Sequence, residues 1–231
     1  MHYRADFHIH SCLSPCAKLE MSPSAIVKAA QNAGLNALAL ADHNCGFNLP
    51  AFGEICKEAG MAALYGTEVT STEEAHILCL FDQLDVAVEW GETVYKSLPP
   101  VLNYPDRFGD QPIVNAQNEI LDFAEKFLIS ASGFSISQIV EEVHQRGGLV
   151  IPAHIDRQIY GIIAQLGFLP DDPFDAVELT PQGDPALAQD FFVLHHSDAH
   201  MLSQIGTSFT EYNIPSLTAA SLRSLFQTKK D

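Results

Sequence analysis

The stretch Asp6-Phe7-His8-Ile9-His10 lies close to the start of the chain and predicts a β-strand with two unlike faces. Because side chains alternate along an extended strand, Asp6, His8 and His10 share one face. The apolar Phe7 and Ile9 share the other face, which we expect to pack into a core. A lone His-x-His strand is more typical of histidines that satisfy hydrogen bonds than of a metal site. The choice between these two interpretations therefore depends on residues elsewhere in the chain.

Four further clusters of histidine and acidic residues follow along the chain, and they change that interpretation. They are Asp42-His43, Glu68 with His76, His154, and Asp198-Ala199-His200. Apolar runs that are typical of buried strands accompany them. Barrel enzymes build their sites from residues at the C-terminal ends of several strands, so we expect these clusters to meet in space.

The wider pattern alternates strands and helices, which predicts a mainly parallel sheet covered by helices. The predicted strands are 3–9, 37–41, 62–65, 74–81, 149–151, 176–179 and 191–194, and the predicted helices are 23–33, 51–59, 84–96, 135–146, 158–166 and 217–226. A closed barrel is favoured over an open doubly wound sheet, because an open sheet gathers ligands from fewer strands. We expect one domain over 1–231, with an insertion or excursion at 99–132.

The composition limits the partners and the compartment. The chain has 29 acidic against 12 basic residues and a net charge of −17, which argues against long nucleic acid as a partner. The sequence has neither a signal segment nor an apolar run long enough to cross a membrane. Its five cysteines lack a paired C-x-x-C framework, so we expect reduced thiols in the cytoplasm. The oligomeric state is not indicated.

The clusters supply a set of candidate metal ligands. These are His8, His10, His43, Glu68, His76, His154, Asp198 and His200. Mixed imidazole and carboxylate ligands suit Zn, Mn or Fe. Because the set exceeds what one tetrahedral ion needs, it predicts two or three divalent transition metals. Such clusters activate water and bind the oxygens of a displacement, as phosphate-ester hydrolysis requires.

The order of these motifs resembles the polymerase and histidinol phosphatase (PHP) superfamily over about residues 3–200. The resemblance implies a distorted (β/α)7 TIM-like barrel that holds up to three metals. It assigns to the first metal His8, His10, Glu68 and Asp198. It assigns to the second metal Glu68, His76 and His154, and to the third His43 and His200. Asp6 and Asp42 are expected to orient ligands rather than bind metal.

Pro15 departs from the family pattern. The family often has an Asp or His at this position, five residues after the second histidine of the first motif, and proline cannot bind a metal. The third metal is therefore expected to be weak, absent or completed by water. Cys16 is an alternative ligand for this position, but we favour the interpretation that it is an ordinary loop cysteine.

Two further residues are candidates for the catalytic step. Arg157 either contacts the substrate phosphate, for which a guanidinium is well suited, or forms a surface salt bridge. His196 shares a predicted strand face with Asp198 and His200, and is the candidate proton donor to the leaving group.

The resemblance implies a metal-dependent phosphoesterase acting on a small phosphorylated substrate. The substrate is a phosphomonoester or a nucleotide-type phosphate ester, and the attacking group is a metal-bridging hydroxide. The alternatives are a nuclease on short oligonucleotides and a non-catalytic, metal-stabilised interaction module.

Overall fold

A computed structural model describes residues 1–228 of the protein. The strands in this range are β1 (His2–Asp6), β2 (Ala37–His43), β3 (Ala62–Thr70), β4 (His76–Phe81), β5 (Pro112–Val114), β6 (Ile120–Phe123), β7 (Leu149–Pro152), β8 (Val177–Glu178), β9 (Val193–Leu194) and β10 (Thr210–Asn213). The α-helices are α1 (Pro23–Asn32), α2 (Leu49–Ala59), α3 (Leu84–Ser97), α4 (Pro105–Phe108), α5 (Ile136–Gln145), α6 (Ile162–Leu166) and α7 (Ala219–Gln227). Short 3-10 turns lie at Pro185–Ala188 and Leu202–Gln204.

Local sequence signals explain where several helices begin and end. Helix α1 follows Ser22, whose hydroxyl accepts a hydrogen bond from the Ala25 N–H. Helix α5 begins with a capping box between Ser135 and Gln138. Helix α2 ends at Gly60, which has a φ of 65°. These three predicted helices are confirmed.

Two predicted helices differ from the structure. Helix α6 starts at Ile162 instead of residue 158, because the preceding residues form a turn in which Tyr160 has a φ of 61°. Helix α7 starts at Ala219 instead of residue 217, because Thr218 caps it by accepting from the Ser221 N–H.

The main sheet has the order β10-β1-β2-β3-β4-β7 and is mixed. Strands β1, β2 and β3 are parallel as predicted. Strand β4 pairs antiparallel with β3, because the connection at 71–75 is too short for a parallel crossover. Strand β4 is also antiparallel to β7. His76, the first residue of β4, therefore lies opposite Thr70, at the sheet edge where β3 ends.

Strand β10 was not predicted. It pairs antiparallel with β1 and has the sequence Thr-Glu-Tyr-Asn, in which only Tyr212 is buried. A strand with a single buried side chain lacks the apolar alternation on which the prediction depends.

Strands β8 and β9 form a small parallel sheet that continues the curvature of the main one. Backbone hydrogen bonds link it to β7, with the Asp175 N–H donating to the Val150 carbonyl at 3.0 Å. On its other side, the His10 N–H donates to the Ala199 carbonyl at 3.0 Å. The result is a mixed α/β fold with a curled sheet; seven strand–helix units are not confirmed, because no helix separates β3 from β4.

Both faces of the sheet are buried, as the residues of β2 illustrate. Leu38 and Leu40 pack in a cluster with Trp90 and the helices α1, α2, α3 and α5. Ala39 and Ala41 pack on the opposite face in a second cluster that includes α7. Side-chain alternation thus gives each face its own core, which is why β2 is apolar up to its last two residues.

Segment 99–132 contains α4 and the hairpin β5–β6. The side-chain amide of Asn44 donates to the carbonyls of Leu128 and Ser130 at 2.7 and 2.9 Å, which anchors the end of this segment next to β2. Within 1–228, no helix has the length and apolar character needed to cross a membrane.

Candidate metal centre

The eight predicted ligands gather at one edge of the curled sheet. His8 and His10 follow β1, while His43 ends β2 and lies opposite Glu68 of β3. His76 begins the antiparallel β4. The remaining ligands follow strands β7 and β9, and they are His154, Asp198 and His200. All are buried except His200, which is partly exposed.

Glu68 lies at the centre of this group, and its carboxylate approaches five imidazoles. Oxygen Oε1 lies 2.9 Å from His76 Nδ1, 3.1 Å from His154 Nε2 and 3.3 Å from His8 Nε2. Oxygen Oε2 lies 3.0 Å from His43 Nδ1 and 3.3 Å from His10 Nε2. A carboxylate in this position can bridge neighbouring ions, as the sequence predicts for Glu68.

Ligand atoms converge in three groups whose members lie within 4.8 Å of one another. The groups are His8-His10-Glu68-Asp198, His43-Glu68-His76 and His10-His43-His200. The first is identical to the ligand set that the resemblance implies for the first metal. The second contains His43 in place of His154, which nevertheless lies 3.1 Å from Glu68.

Several atoms of the cluster are buried and form no hydrogen bond of suitable angle, although some of them lie about as close as ion-paired atoms do. They include Glu68 Oε2, His43 Nδ1, both ring nitrogens of His76, His154 Nδ1 and Asp198 Oδ1. Burying a polar atom without a partner is costly, and a metal ion can supply the missing partner. The residues therefore fit metal ions on a structural observation that is independent of the motif.

The two carboxylates are ionised. Burial acts to raise the pKa of Glu68, but attraction to His76 and His8 outweighs it and holds that pKa well below its usual range. Burial likewise opposes ionisation of Asp198, and attraction to His8 again holds the pKa well below its usual range. Both groups are therefore available as anionic ligands.

Four histidines of the cluster fall into two classes according to the direction in which their pKa is shifted. Burial lowers the pKa of His10, but the neighbouring carboxylates of Asp198 and Glu68 outweigh it and raise the pKa to about 9. The pKa of His43 is raised to about 9 because attraction to Glu68 likewise overcomes burial. Burial lowers the pKa of His76 to about 4 and that of His200 to about 3. At neutral pH the first two are protonated in the metal-free protein and the last two are neutral.

Asp42 orients His10 through a serine. The Ser14 hydroxyl donates to Asp42 Oδ1 at 2.7 Å and accepts from His10 Nδ1 at 3.0 Å. The carboxylate is itself fixed by the N–H and hydroxyl of Ser11, at 2.7 and 2.6 Å. The orienting role expected of Asp42 agrees with these contacts, although Ser14 was not foreseen.

Asp6 connects the end of β1 to the segment that carries Asp198. It accepts from the backbone N–H groups of Ser197 at 3.1 Å and Gly206 at 3.2 Å. Asp6 belongs to none of the ligand groups found among the described residues. Its contacts agree with an orienting role.

Glu178 of β8 was missed by the sequence analysis. It is 2% exposed and contacts the rings of His8 and His196. Burial acts to raise its pKa, but attraction to His8 outweighs it and lowers the pKa far below the usual range. The only sequence signal was an acidic residue inside the apolar run Ala176-Val177-Glu178-Leu179.

A cavity of about 180 Å³ opens onto the cluster. Arg157 lines it and donates from Nη1 to Asp198 Oδ2 at 2.5 Å. Two apolar residues also line the cavity: Ile129 from segment 99–132, and Ile159, which is 68% exposed. Tyr160 also lines the cavity, and its ring stacks on His76 with centroids 4.3 Å apart.

His196 lies away from this cavity. Its ring is buried, with the centroid 5.4 Å from that of Phe7, and Nδ1 lies 3.1 Å from Glu178. The predicted alternation of residues 196, 198 and 200 does not hold, because β9 ends at Leu194 and Asp198 has a φ of 48°. The proton-donor role of His196 stays a prediction.

Cys16, which follows Pro15, lines the same cavity as His43 and His200 of the third group. Pro15 is buried, and Cys16 lines the cavity with an exposed thiol. The groups found in residues 1–228 do not include Cys16.

Solved structures with the same fold include enzymes that act on nucleic acid. EndoQ of Pyrococcus furiosus, a lesion-specific endonuclease, has a TM-score of 0.74 and 19% identity over 99% of this chain and 56% of its own. Endonuclease Q in complex with a 27-mer duplex carrying an abasic lesion has a TM-score of 0.71 and 19% identity, over 99% of this chain and 57% of its own. This chain thus spans just over half of the length of both.

A candidate metal-dependent phosphoesterase of Bifidobacterium adolescentis has a TM-score of 0.60 and 17% identity, over 98% of this chain and 96% of its own. Likeness at these identities shows the fold. No curated protein sequence matches the chain.

The curled α/β sheet carries at its edge a buried imidazole–carboxylate cluster whose residues fit divalent metal ions. Residues 6–160 match the PHP domain family. That match covers more than half of the chain, so the chain belongs to the PHP domain family. The resemblance drawn from the motifs is confirmed.

Proposed function

We propose that this protein is a phosphoesterase that uses two or three divalent transition metals, Zn, Mn or Fe, to hydrolyse a phosphate ester. The observation that carries the proposal is the convergence of buried, unpartnered imidazole and carboxylate atoms around Glu68, next to a cavity that holds Arg157. When bound, the metals supply Lewis-acid activation of water and neutralise charge on the phosphate.

The ligand assignment is part of this proposal. Glu68 would be shared between the first and second ions. His8, His10 and Asp198 would complete the ligands of the first ion, and His76 and His154, through Nε2, those of the second. His43 and His200 would bind the third ion. Because the third group contains no carboxylate of its own, we expect its ion to be the weakest.

Arg157 is assigned to the substrate phosphate. Its guanidinium has five N–H donors, of which Nη1 donates to Asp198. The side chain is 43% exposed and lines the cavity, so the same group can reach an anion that enters. The alternative of a plain surface salt bridge fits less well, because the partner of Arg157 is a buried candidate ligand.

His196 is retained as the candidate proton donor to the leaving group. Its ring would have to change position to reach the cavity, since Nδ1 now lies 3.1 Å from Glu178. Replacing His196 by Asn tests this role: loss of hydrolysis should be greatest for esters with poorly acidic leaving groups, and equal losses for all esters would contradict it.

Two substrate classes remain candidates. A small phosphomonoester or nucleotide-type ester suits the cavity of about 180 Å³, which accommodates a phosphate and a short adjoining group. A nuclease is supported to the same degree by the likeness to EndoQ and to the endonuclease Q–duplex complex. The expectation that excluded long nucleic acid rested on the net charge of −17 alone, and these neighbours do not support it.

One substrate panel separates the two classes. It contains p-nitrophenyl phosphate, its bis-ester, a dinucleotide and an abasic-site duplex, each tested with Mn²⁺ and with Zn²⁺. Turnover of monoesters alone indicates a small-molecule phosphoesterase, whereas turnover of the dinucleotide or the duplex indicates a nuclease. Bound metal without hydrolysis of any member would contradict both and favour a non-catalytic module.

The remaining parts of the proposal concern organisation and location. We propose a single PHP domain with a distorted (β/α)7 barrel, interrupted at 99–132 by the segment that contributes Ile129 to the cavity wall. A cytoplasmic location is supported by the five cysteines, all of which have free thiols.

A further inference from the structure

Glu178 is the buried acid that the proposed mechanism leaves without a role. Both of its carboxylate oxygens lie 3.1 Å from His8 Nδ1. Oxygen Oε2 also lies 3.1 Å from His196 Nδ1, and Oε1 lies 3.2 Å from the backbone nitrogen of His154. One carboxylate therefore contacts three histidine positions, of which two belong to the proposed metal ligands.

These contacts fix the orientation of the His8 ring. A carboxylate only accepts hydrogen bonds, so His8 Nδ1 carries the proton that it donates to Glu178. The other nitrogen, Nε2, then faces the first ligand group. It lies 3.3 Å from Glu68 Oε1 and 3.4 Å from Asp198 Oδ1. Glu178 therefore holds the ring so that Nε2 is the nitrogen directed at the metal site.

A second contact holds the turn that carries His154. This residue has a φ of 31°, a backbone conformation that residues other than glycine adopt rarely. Its N–H donates to Glu178 Oε1, and the next N–H, of Ile155, donates to the Glu178 carbonyl at 2.9 Å. The turn directs His154 Nε2 to 3.1 Å from Glu68 Oε1.

We propose that Glu178 is a positioning residue that prepares ligands of two neighbouring metal sites at once. It sets the orientation of the His8 ring for one ion, and it holds the backbone turn that places His154 for the other. The inference rests on the proposed metal sites and is independent of which phosphate ester is hydrolysed.

Asp175 provides a matched control on the same segment. It is a largely buried acid that also accepts from a histidine, since it lies 2.9 Å from His144 Nε2. Its other partners are Arg223 and the backbone N–H of Val150. None of these residues belongs to the metal-ligand groups or lines the cavity in the part of the chain described. An Asp175→Asn variant therefore reports the cost of losing a buried structural acid.

The test compares Glu178→Gln, Glu178→Asp and Asp175→Asn in the full chain. Glutamine directs an amide N–H₂ toward groups that are themselves donors, so it cannot satisfy His8, His196 and His154 together. Aspartate keeps the buried charge and shortens the side chain by one C–C bond, about 1.5 Å. Affinities for Zn²⁺ and Mn²⁺ are measured by competition with a chelator. The hydrogen bond from His8 Nδ1 to Glu178 is read from the ring ¹⁵N and Nδ1–H proton shifts of the Zn²⁺-loaded protein.

Both Glu178 variants should lose about 10- to 100-fold in metal affinity, as is typical for residues that orient metal ligands. In Glu178→Gln, the His8 Nδ1–H proton signal should also move from its wild-type position. Asp175→Asn should melt at a lower temperature and bind both metals as the wild type does.

Metal affinities of the Glu178 variants within twofold of that of Asp175→Asn would overturn the proposal. If Glu178→Gln does not fold, the metal affinities of Glu178→Asp decide the test, because this variant keeps the charge and only shortens the side chain. A wild type that binds metals and hydrolyses no phosphate ester would contradict the proposed function, while the affinities would still decide the role of Glu178.

Discussion

Replacing Arg157 by glutamine isolates the contribution of the phosphate contact. In the structure, Nη1 of Arg157 donates to Asp198 Oδ2 at 2.5 Å, and the side chain lines the cavity with 43% exposure. A hydrogen bond to a charged group contributes about 1.5–3 kcal/mol. Since about 1.4 kcal/mol corresponds to tenfold, kcat/KM should fall about 10- to 150-fold. Partial exposure favours the lower end of that range.

The assay for Arg157→Gln is steady-state hydrolysis of whichever ester the substrate panel identifies. Metal content is measured on the same samples, because Arg157 also contacts the candidate ligand Asp198. Arg157→Lys should recover only part of the activity, since an ammonium group lacks the planar fork of a guanidinium. Added guanidinium should partly restore Arg157→Gln, because the side chain lies at an open cavity.

Arg107→Gln is the matched control, because Arg107 is exposed on α4 and does not line the cavity. If Arg157→Gln retains kcat/KM within twofold of this control, with full metal content, the phosphate contact assigned to Arg157 is refuted. If its activity falls only in proportion to its metal content, Arg157 acts through Asp198 alone.

Three further predictions concern metal affinity and stability. The pKa values of about 9 for His10 and His43 mean that both are protonated at pH 7 in the metal-free protein, so metal binding must release those protons. Apparent Zn²⁺ affinity, measured by chelator competition, should therefore rise with pH up to about 9; an affinity that is flat between pH 6 and 9 would contradict this. Ser14→Ala removes the link between Asp42 and His10 and should weaken Zn²⁺ binding about 10-fold, whereas an unchanged dissociation constant would show that the link is dispensable. Ser135→Ala removes the cap of α5 and should lower the free energy of unfolding by about 1 kcal/mol in urea titrations without changing metal affinity; a loss of bound metal would be inconsistent with a purely local effect.

Most candidate ligand positions could be predicted from sequence because they lie at or near the C-terminal end of an apolar strand. His43 and Glu68 illustrate this, since parallel strands in register bring their ends together and the two residues lie opposite each other. His76 was also predicted, although the direction of its strand was not. The short connection at 71–75 makes β4 antiparallel and places its first residue, rather than its last, at the site.

Other features had no comparable signal. Strand β10 has one buried side chain, so hydrophobic periodicity could not reveal it. Glu178 lies in a two-residue strand, and its contacts with His8 and His154 join positions more than twenty residues apart in sequence. His196 was placed by assuming that strand alternation continues past Leu194, but the strand ends there. Long-range contacts and strand ends depend on tertiary packing, which local patterns do not encode.

The central claim is that the buried cluster binds the divalent metals on which hydrolysis depends. Replacing His8 and His10 together by alanine removes two proposed ligands from the group that also contains Glu68 and Asp198. The control replaces His2 and His144 by alanine, because neither belongs to a ligand group among the described residues.

The most direct measurement is the metal content of the purified proteins by elemental analysis, together with phosphate-ester hydrolysis. The wild type and the control should contain two to three equivalents of transition metal and hydrolyse the ester. The His8→Ala/His10→Ala protein should remain folded, lose at least one equivalent and lose hydrolysis. Full metal content or undiminished hydrolysis in that variant would contradict the account.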